Sequence, residues 1–344
     1  MMTVEEGRRP VLADVARVAG VSHQTVSRVV NGADHIRPAT RDKVLAAIDE
    51  LGYRPNTTAR ALVRGRSGII GVVATAAVEF GTASIERTIE LAASEAGFLA
   101  TSVNLPELTP KAFARAAEHL RTLGVEAVVM VVGHDEALRL ARAQTVGVPV
   151  VIAQGDLGEG AAGVGVDQVA GSRAATRHLL DLGHRAVVHV AGPLDWAEAR
   201  ARLEGWRATM HEAGLAAEDP LVGDWSSQSG YEAGLLLRDR PDVTGVVAAN
   251  DQMALGVLRA LHETGRRVPH DVSVVGFDDI PEAGYLLPPL TTVRQDFAAI
   301  GRRAVETVRH LVDGGSPEPA PLLVPELVVR ESTAPPTRPR RTPA

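Results

Sequence analysis

The sequence predicts a small all-α headpiece built on a helix-turn-helix, joined to a larger α/β domain of two doubly wound parallel-sheet lobes. Three observations predict it. Residues 10–54 carry apolar side chains at helical spacing, interrupted by glycine turns. From Gly68 onward, short β-branched runs alternate with helical stretches, the pattern of parallel sheets covered on both faces. The chain has 344 residues, and the stretch from 68 to 333 exceeds one doubly wound unit, so two lobes are the natural division.

The first helix follows from Leu12, Val15, Ala16 and Ala19, which recur on one face, and Gly20-Val21-Ser22 breaks it. Ser22 is placed to cap a second helix running through Asn31. Pro38 suits the first turn of a third helix, which runs to Leu51-Gly52 with Val44, Leu45, Ile48 and Leu51 expected on its buried face. Asn56 is placed to cap a short segment, 57–63, that ends at Gly65 and is too short to be a stable helix by itself. Strands are then expected at 69–74, 125–132, 148–153, 186–191, 245–249 and 272–276, with helices at 84–96 and 135–143. The tail 334–344 is rich in proline and arginine and is expected to be disordered; it has no leucine heptad.

Composition narrows the function classes. The net charge of −6 is uneven: residues 1–66 hold 11 basic and 7 acidic side chains, the remainder 25 and 35. A small basic module on an acidic body is the distribution expected when only the module meets phosphate. There is no cysteine, which excludes disulfides and thiolate metal sites and suits a reducing, cytoplasmic home. No apolar run reaches the roughly 20 residues of a membrane helix, and the start MMTVEEGRRP lacks the apolar core of a secretory signal. No membrane partner is expected.

In a helix-turn-helix, the second helix enters the major groove with its N-terminal side chains on base edges. Here those are His23, Gln24 and Arg28, while Val26, Val29 and Val30 face the bundle. Glutamine pairs bidentately with adenine and arginine with guanine, each worth roughly 1–3 kcal/mol of discrimination. On the residues alone, the competing reading is three solvated polar residues on a small helical domain.

In open α/β sheets, ligands bind beyond the carboxyl ends of the strands. Polar residues stand at several such ends: Gln154, Asp167, Asn250-Asp251, Asp278-Asp279 and Gln295. Paired amides and carboxylates are the chemistry of a neutral polyhydroxyl ligand. Taken singly, Asp167, Asn250 and Asp251 read better as helix caps and Asp278-Asp279 as a turn; their convergence argues for a pocket. All three tryptophans fall within 196–225, and an indole face suits the apolar side of a sugar ring. Trp206 reads as core, and Trp225, among polar and small residues, does not.

The run HQTVSRVVNGADHIRPATRDKVLAAIDELGYRPNTTARAL resembles the DNA-binding headpiece of the LacI/GalR repressor family. AGPLDWAEARARLEGW, GDWSSQSG, AANDQMALG, SVVGFDD and PPLTTVRQDF resemble the same family in the same order, so the likeness spans about residues 10–333. It implies a helix-turn-helix domain at 10–55, a hinge helix at 56–66 and a periplasmic-binding-protein-like effector domain at 67–333. The first lobe would comprise about 67–165 and 295–323, the second 166–294 and 324–333. It further implies that His23, Gln24 and Arg28 read bases, that Ser22, Thr25, Ser27 and Asn31 lie near phosphates, and that the hinge begun by Asn56 enters the minor groove with Leu62 as an apolar wedge. Carried over position by position, Arg202, Trp225, Asn250, Asp278, Gln295 and Phe297 match ligand contacts, and Phe80 and Ile85 the apolar wall. Three positions depart from the family. Arg37 replaces a capping serine, Gln154 a pocket aspartate, and Val131 a pocket asparagine, so the hydroxyl pattern recognised differs and weakens the case for a galactoside.

The resemblance implies a homodimer on a palindromic operator in double-stranded DNA, released by a small sugar. A repressor responding to a purine co-repressor and a stand-alone sugar-binding protein are the competing readings. No enzyme, cofactor or metal site is expected. Gly158, Gly160 and Gly163 spell G-x-G-x-x-G, but a strand-like run at 164–166 follows where a nucleotide fold needs a helix. There is no G-x-S-x-G or H-E-x-x-H, and the 11 histidines have no ligand spacing.

Overall fold

The computed structural model describes residues 10–30, 36–53, 66–75, 79–105, 107–143, 147–154, 162–317 and 321–337. The chain divides into two units, Met1–Ser67 and Gly68–Ala344.

The first unit packs three helices, α1 (Leu12–Ala19), α2 (His23–Val30) and α3 (Pro38–Leu51), around Val15, Val26, Val29, Val44, Ala47 and Tyr53. Glycine ends α1 because Gly20 takes φ +66°, a left-handed conformation open to a residue without Cβ. The Asp14 carboxylate accepts the Val11 amide at 3.0 Å, satisfying one of the orphan N–H groups at that helix start. Ser22 Oγ accepts the Thr25 amide at 3.2 Å and so begins α2. Arg37 precedes α3 without a side-chain cap, as its replacement of a capping serine suggests. One expectation is corrected: Leu45 is exposed and Ala47 is buried instead. The buried stripe of α3 is therefore centred on Val44, Ala47 and the half-buried Ile48.

The second unit holds two sheets. Its elements are β1 (Ile69–Thr75), α4 (Phe80–Glu95), β2 (Leu99–Leu105), α5 (Pro110–Leu123), β3 (Ala127–Val131), α6 (Asp135–Ala143), β4 (Val150–Ala153) and β5 (Gly163–Val164). There follow α7 (Gln168–Asp181), β6 (Val187–Ala191), α8 (Ala197–Glu212), β7 (Leu221–Val222), α9 (Ser227–Leu236), β8 (Gly245–Ala248), α10 (Asp251–Glu263), β9 (Ser273–Asp278), β10 (Thr291–Arg294), α11 (Phe297–Val312) and β11 (Glu326–Val328). The first sheet runs β2-β1-β3-β4-β5, all parallel. The second runs β11-β10-β9-β8-β6-β7, parallel except for antiparallel β11. The inner strands β3 and β8 are buried along their whole length, as their unbroken apolar sequence requires.

Each sheet carries a core on both faces. In the first, Ile85 and Ile89 of α4 and Ala304 and Val308 of α11 pack with Val72 and Val129, while Phe113 and Leu120 of α5 cover Val73 and Val128 opposite. In the second, Met253 and Val257 of α10 lie on one face and Leu179 of α7 with Trp206 and Met210 of α8 on the other. The chain crosses between sheets three times: from β5 to α7, from β10 to α11, and near Leu323, which bridges Val166 before β11. Parallel α/β sheets open their strand ends toward such crossings, and the cleft forms there.

The expected tail disorder is corrected at its start. Ala334 exchanges hydrogen bonds with Ser273 Oγ at 3.0 Å and its carbonyl meets His184 Nε2 at 2.9 Å, while Thr337 Oγ1 donates to the His270 carbonyl at 2.6 Å. Small hydroxyl residues at 332–337 let this segment lie against the starts of β9 and β10 in the second sheet. Residues 338–344 lie outside the described residues.

Candidate functional site

Two surfaces carry the chemistry. On the first unit, α2 presents His23, Gln24 and Arg28 to solvent, while Val26 and Val29 anchor the opposite face. Ser22, capping the helix, also lies 2.9 Å from Thr25 Oγ1, and Thr25 and Ser27 are half-exposed on the flanks. The helix is thus amphipathic, with donors and acceptors at its N-terminal end. Asn31, Asn56 and Leu62 lie outside the described residues.

In the second unit, a cavity of about 460 Å³ opens between the two sheets, a size suited to a small ligand. Phe80, Ile85, Gln154, Arg202, Trp225, Asn250, Asp278, Gln295 and Phe297 all line it. The apolar wall comes from the first turn of α4 and α11, where Phe80 meets Phe297 edge to face at 5.8 Å.

The floor is a closed polar circuit on the second sheet. Arg202 reaches inward from α8 and donates through Nε to Gln168 Oε1 at 2.9 Å and through a terminal nitrogen to the Ala249 carbonyl. Its other terminal nitrogen stands 3.5 Å from Asp278 Oδ1. Gln168 donates to Gln295 Oε1 at 3.0 Å, and Gln295 donates to Asp278 Oδ1 at 2.6 Å, closing the ring. The guanidinium lies 3.8 Å from the Phe277 ring centroid and 5.6 Å from that of Trp225. Burial raises the Asp278 carboxyl, opposed by Arg202 and by the Gln295 hydrogen bond. Burial also lowers the Arg202 guanidinium, opposed first by Asp278; arginine stays charged in such a setting. The pair is kept because both partners are hydrogen-bonded on several sides.

The residues read as caps serve both purposes. Asn250 Oδ1 accepts the Met253 amide at 2.8 Å, starting α10, and its Nδ2 donates to the Trp225 carbonyl at 3.0 Å. Asp167 caps α7 at 2.8 Å and lines the cavity. Asp251 is the exception: it lies inside α10, buried, and accepts from the Ile280 amide at 2.8 Å and Thr292 Oγ1 at 2.5 Å. Burial, then the neighbouring Asp278, pushes its carboxyl up to about 8. Asp279 takes both Arg294, at 2.7 Å, and Arg330, at 2.6 Å. Val131 is fully buried in the first core and does not reach the cavity.

Trp225 takes φ +74°, unusual for a side chain of that size. Gly192 permits it: the indole six-membered ring lies where a Cβ would stand. Trp196 packs edge-on at 5.8 Å, so two indoles form one wall. Trp225 Nε1 and Gln154 Oε1 are buried at the cavity without a hydrogen-bond partner among the described residues, one a donor and one an acceptor. Unmade hydrogen bonds of this kind are costly until a ligand makes them. Sequence reasoning missed Gln168, Trp196, Glu79 and Glu198, all of which line the cavity. The first three sit at or beside helix starts rather than strand ends; a glutamine one residue past the Asp167 cap was the nearest signal.

Among the described residues, no helix is long and apolar enough to cross a membrane and no group of three potential metal ligands occurs. Gly163 lies in β5, paired with β4, and Gly158 and Gly160 lie outside the described residues.

Comparison with known proteins agrees with this geometry. Residues 11–56 match the family described as bacterial regulatory proteins, lacI family, and residues 176–333 match a periplasmic binding protein-like domain. The chain is 38% identical over 344 residues to the HTH-type transcriptional regulator CelR of Thermobifida fusca, a match covering 96% of this chain and all of the relative. The lac repressor dimer bound to operator and the anti-inducer ONPF superposes with a TM-score of 0.82 at 34% identity, covering 95% of this chain and 100% of that one. The transcriptional regulator CelR–cellobiose complex superposes with a TM-score of 0.70 at 36% identity, covering 94% and 100%.

Proposed function

The chain belongs to the lacI family of bacterial regulatory proteins, and from that premise we propose that it is a dimeric repressor released from a palindromic operator by a neutral saccharide. It is a DNA-binding transcriptional repressor with a sugar-binding domain, and its relatives are regulators, not enzymes. In the finer reading, each headpiece reads one half-site, with His23, Gln24 and Arg28 on bases and Ser22, Thr25, Ser27 and Asn31 on phosphates. The hinge at 56–66 folds into the minor groove, Leu62 acting as the wedge.

The observation that carries the saccharide is the cavity wall. Two indoles stand beside a donor and an acceptor left unmade, Trp225 Nε1 and Gln154 Oε1, above the Arg202–Asp278 circuit. Stacking faces with paired donors and acceptors suit a ring bearing hydroxyls. The CelR–cellobiose complex supports a glucoside as readily as the lactose repressor relatives support a galactoside. Ligand that draws the lobes together would alter the hinge, and by linkage the operator weakens ligand binding by the same factor.

The test is a titration of the protein bound to a palindromic operator fragment with cellobiose, lactose and a purine base. Release by a disaccharide is expected. Tighter operator binding in the purine arm would replace this reading with a co-repressor, and absence of any operator binding by the folded chain would end it.

A further inference from the structure

One carboxylate in the cavity has no work in the fold. Glu79 stands at the start of α4, where a cap is wanted, yet its side chain makes no capping hydrogen bond. It forms no ion pair or hydrogen bond with any described residue, and it lines the cavity beside Phe80. The arginines there and Asp167 and Asp278 are engaged. Arg202 is held by Asp278 and Gln168, Arg200 grips Asp135 at 2.7 and 2.8 Å, and Asp167 caps α7. Both cavity arginines therefore meet protein acceptors, and Glu79 contributes an uncompensated negative charge.

Its position divides the site. The Arg202 circuit belongs to the second sheet's layer and Glu79 comes from the first lobe, while the Trp225 indole, part of the second sheet's core, also lines the cavity. Trp225 is itself more than nine-tenths buried with Nε1 unpartnered. Next to Trp225, Asp224 adds a second negative charge near Glu79; burial first, then Asp224, raises the Glu79 carboxyl. An ionised carboxylate only accepts hydrogen bonds, and buried beside another it rejects an anion.

We propose that Glu79 is a specificity-determining residue that accepts hydroxyl hydrogen bonds from the outer ring of a neutral disaccharide and excludes sugars carrying a carboxylate. The inference rests on the saccharide reading of this cavity. The inner ring occupies the Arg202–Asp278 floor and the outer ring reaches Glu79. A monosaccharide satisfies the floor alone.

The experiment compares the full-length wild-type chain with Glu79→Gln and Glu79→Leu by isothermal titration calorimetry. The probes are glucose, cellobiose, lactose, and the acids cellobionate and lactobionate. Circular dichroism melts confirm that each variant is folded. A charge-assisted hydrogen bond lost to leucine corresponds to about a tenfold to hundredfold loss. That loss is expected for whichever neutral disaccharide binds, with glucose affinity unchanged. Glutamine, which keeps an acceptor but removes the charge, should retain most neutral affinity and narrow the preference over the matching acid. Unchanged ratios of disaccharide to glucose and of neutral sugar to acid in both variants would overturn the role of Glu79 and leave the saccharide reading standing. Failure of every probe to bind the wild type would overturn both.

Discussion

At the scale of single residues, one side chain joins a buried ion pair to the lining of the cavity. Arg202 is buried with Asp278, and each is held by a glutamine. Removing one member of such a pair strands the other, at a cost of roughly 3–5 kcal/mol. Arg202→Ala should therefore lower the melting temperature of the second unit and abolish saccharide release, while operator binding by the intact protein persists at lower temperature. A thermal melt beside an operator titration checks both. Gln168→Leu makes a sharper case, since it keeps volume and the ion pair but frees Arg202 Nε and Gln295. A loss of ligand affinity with a melt shifted less than in Arg202→Ala is expected, and calorimetry reads it. On α2, Arg28→Ala should relax base preference by roughly 1–3 kcal/mol at one operator position. Competition between operator variants measures that, because a mere phosphate contact would weaken all sequences alike.

At the scale of elements, close helix packing is set by glycines. The helices α9 and α10 approach until a Cβ on Gly256 would strike the Ser227 carbonyl and the Tyr231 amide. These are backbone atoms and cannot swing aside. Gly256→Ala should destabilise the second unit by about 1–3 kcal/mol, seen as a lower urea midpoint with an unchanged slope. The same scale explains what the sequence revealed and what it hid. Buried strands such as β3 and β8 are continuous apolar runs and were legible as such. The edge strand β2, LATSVNL, was not, because it is polar and only partly buried until Leu105. Nor were β7 and β11, whose two and three residues are too short to carry a period. In α3, leucine is the stronger apolar signal than alanine, yet the close helix packing there leaves room for Ala47 and turns Leu45 outward. All nine expected cavity residues line one cleft: Gln154, Asn250, Asp278 and Gln295 because strand ends converge by topology, while Phe80, Ile85, Arg202, Trp225 and Phe297 were legible only through the family resemblance. Glu79, Gln168 and Trp196 escaped notice because they sit at or next to helix starts, where sequence alone suggests only local duties.

At the scale of the whole molecule, the second lobe binds protons unevenly. His189 is fully buried, stacks on Trp206 at 5.6 Å, and bonds through Nδ1 to the Val247 carbonyl at 2.9 Å, which makes Nδ1 the protonated nitrogen. Nε2 has no partner among the described residues, so a second proton there would be buried without an acceptor. Burial lowers His189 from 6.5 to about 4, and burial lowers His178 and His184 as well. Between those values the unfolded chain holds the extra proton, so the histidine contribution is present above pH 6.5 and is lost as pH falls toward 4. Asp251 has the opposite sign. Raised from 3.8 to about 8, it is protonated first in the folded state, and its contribution is present below 3.8 and lost as pH rises through 8. The two act in opposite directions between pH 4 and 6.5, so only a comparison of variant with wild type isolates the histidine. His189→Phe keeps the stack on Trp206 but cannot titrate. Relative to wild type, it should gain stability on acidification, by up to about 3 kcal/mol between pH 7 and 4. Parallel urea titrations of the two proteins at pH 7, 6, 5 and 4 measure the difference. A stability gap independent of pH would mean that His189 is protonated equally in the folded and unfolded chains, and that the buried ring holds its second proton after all.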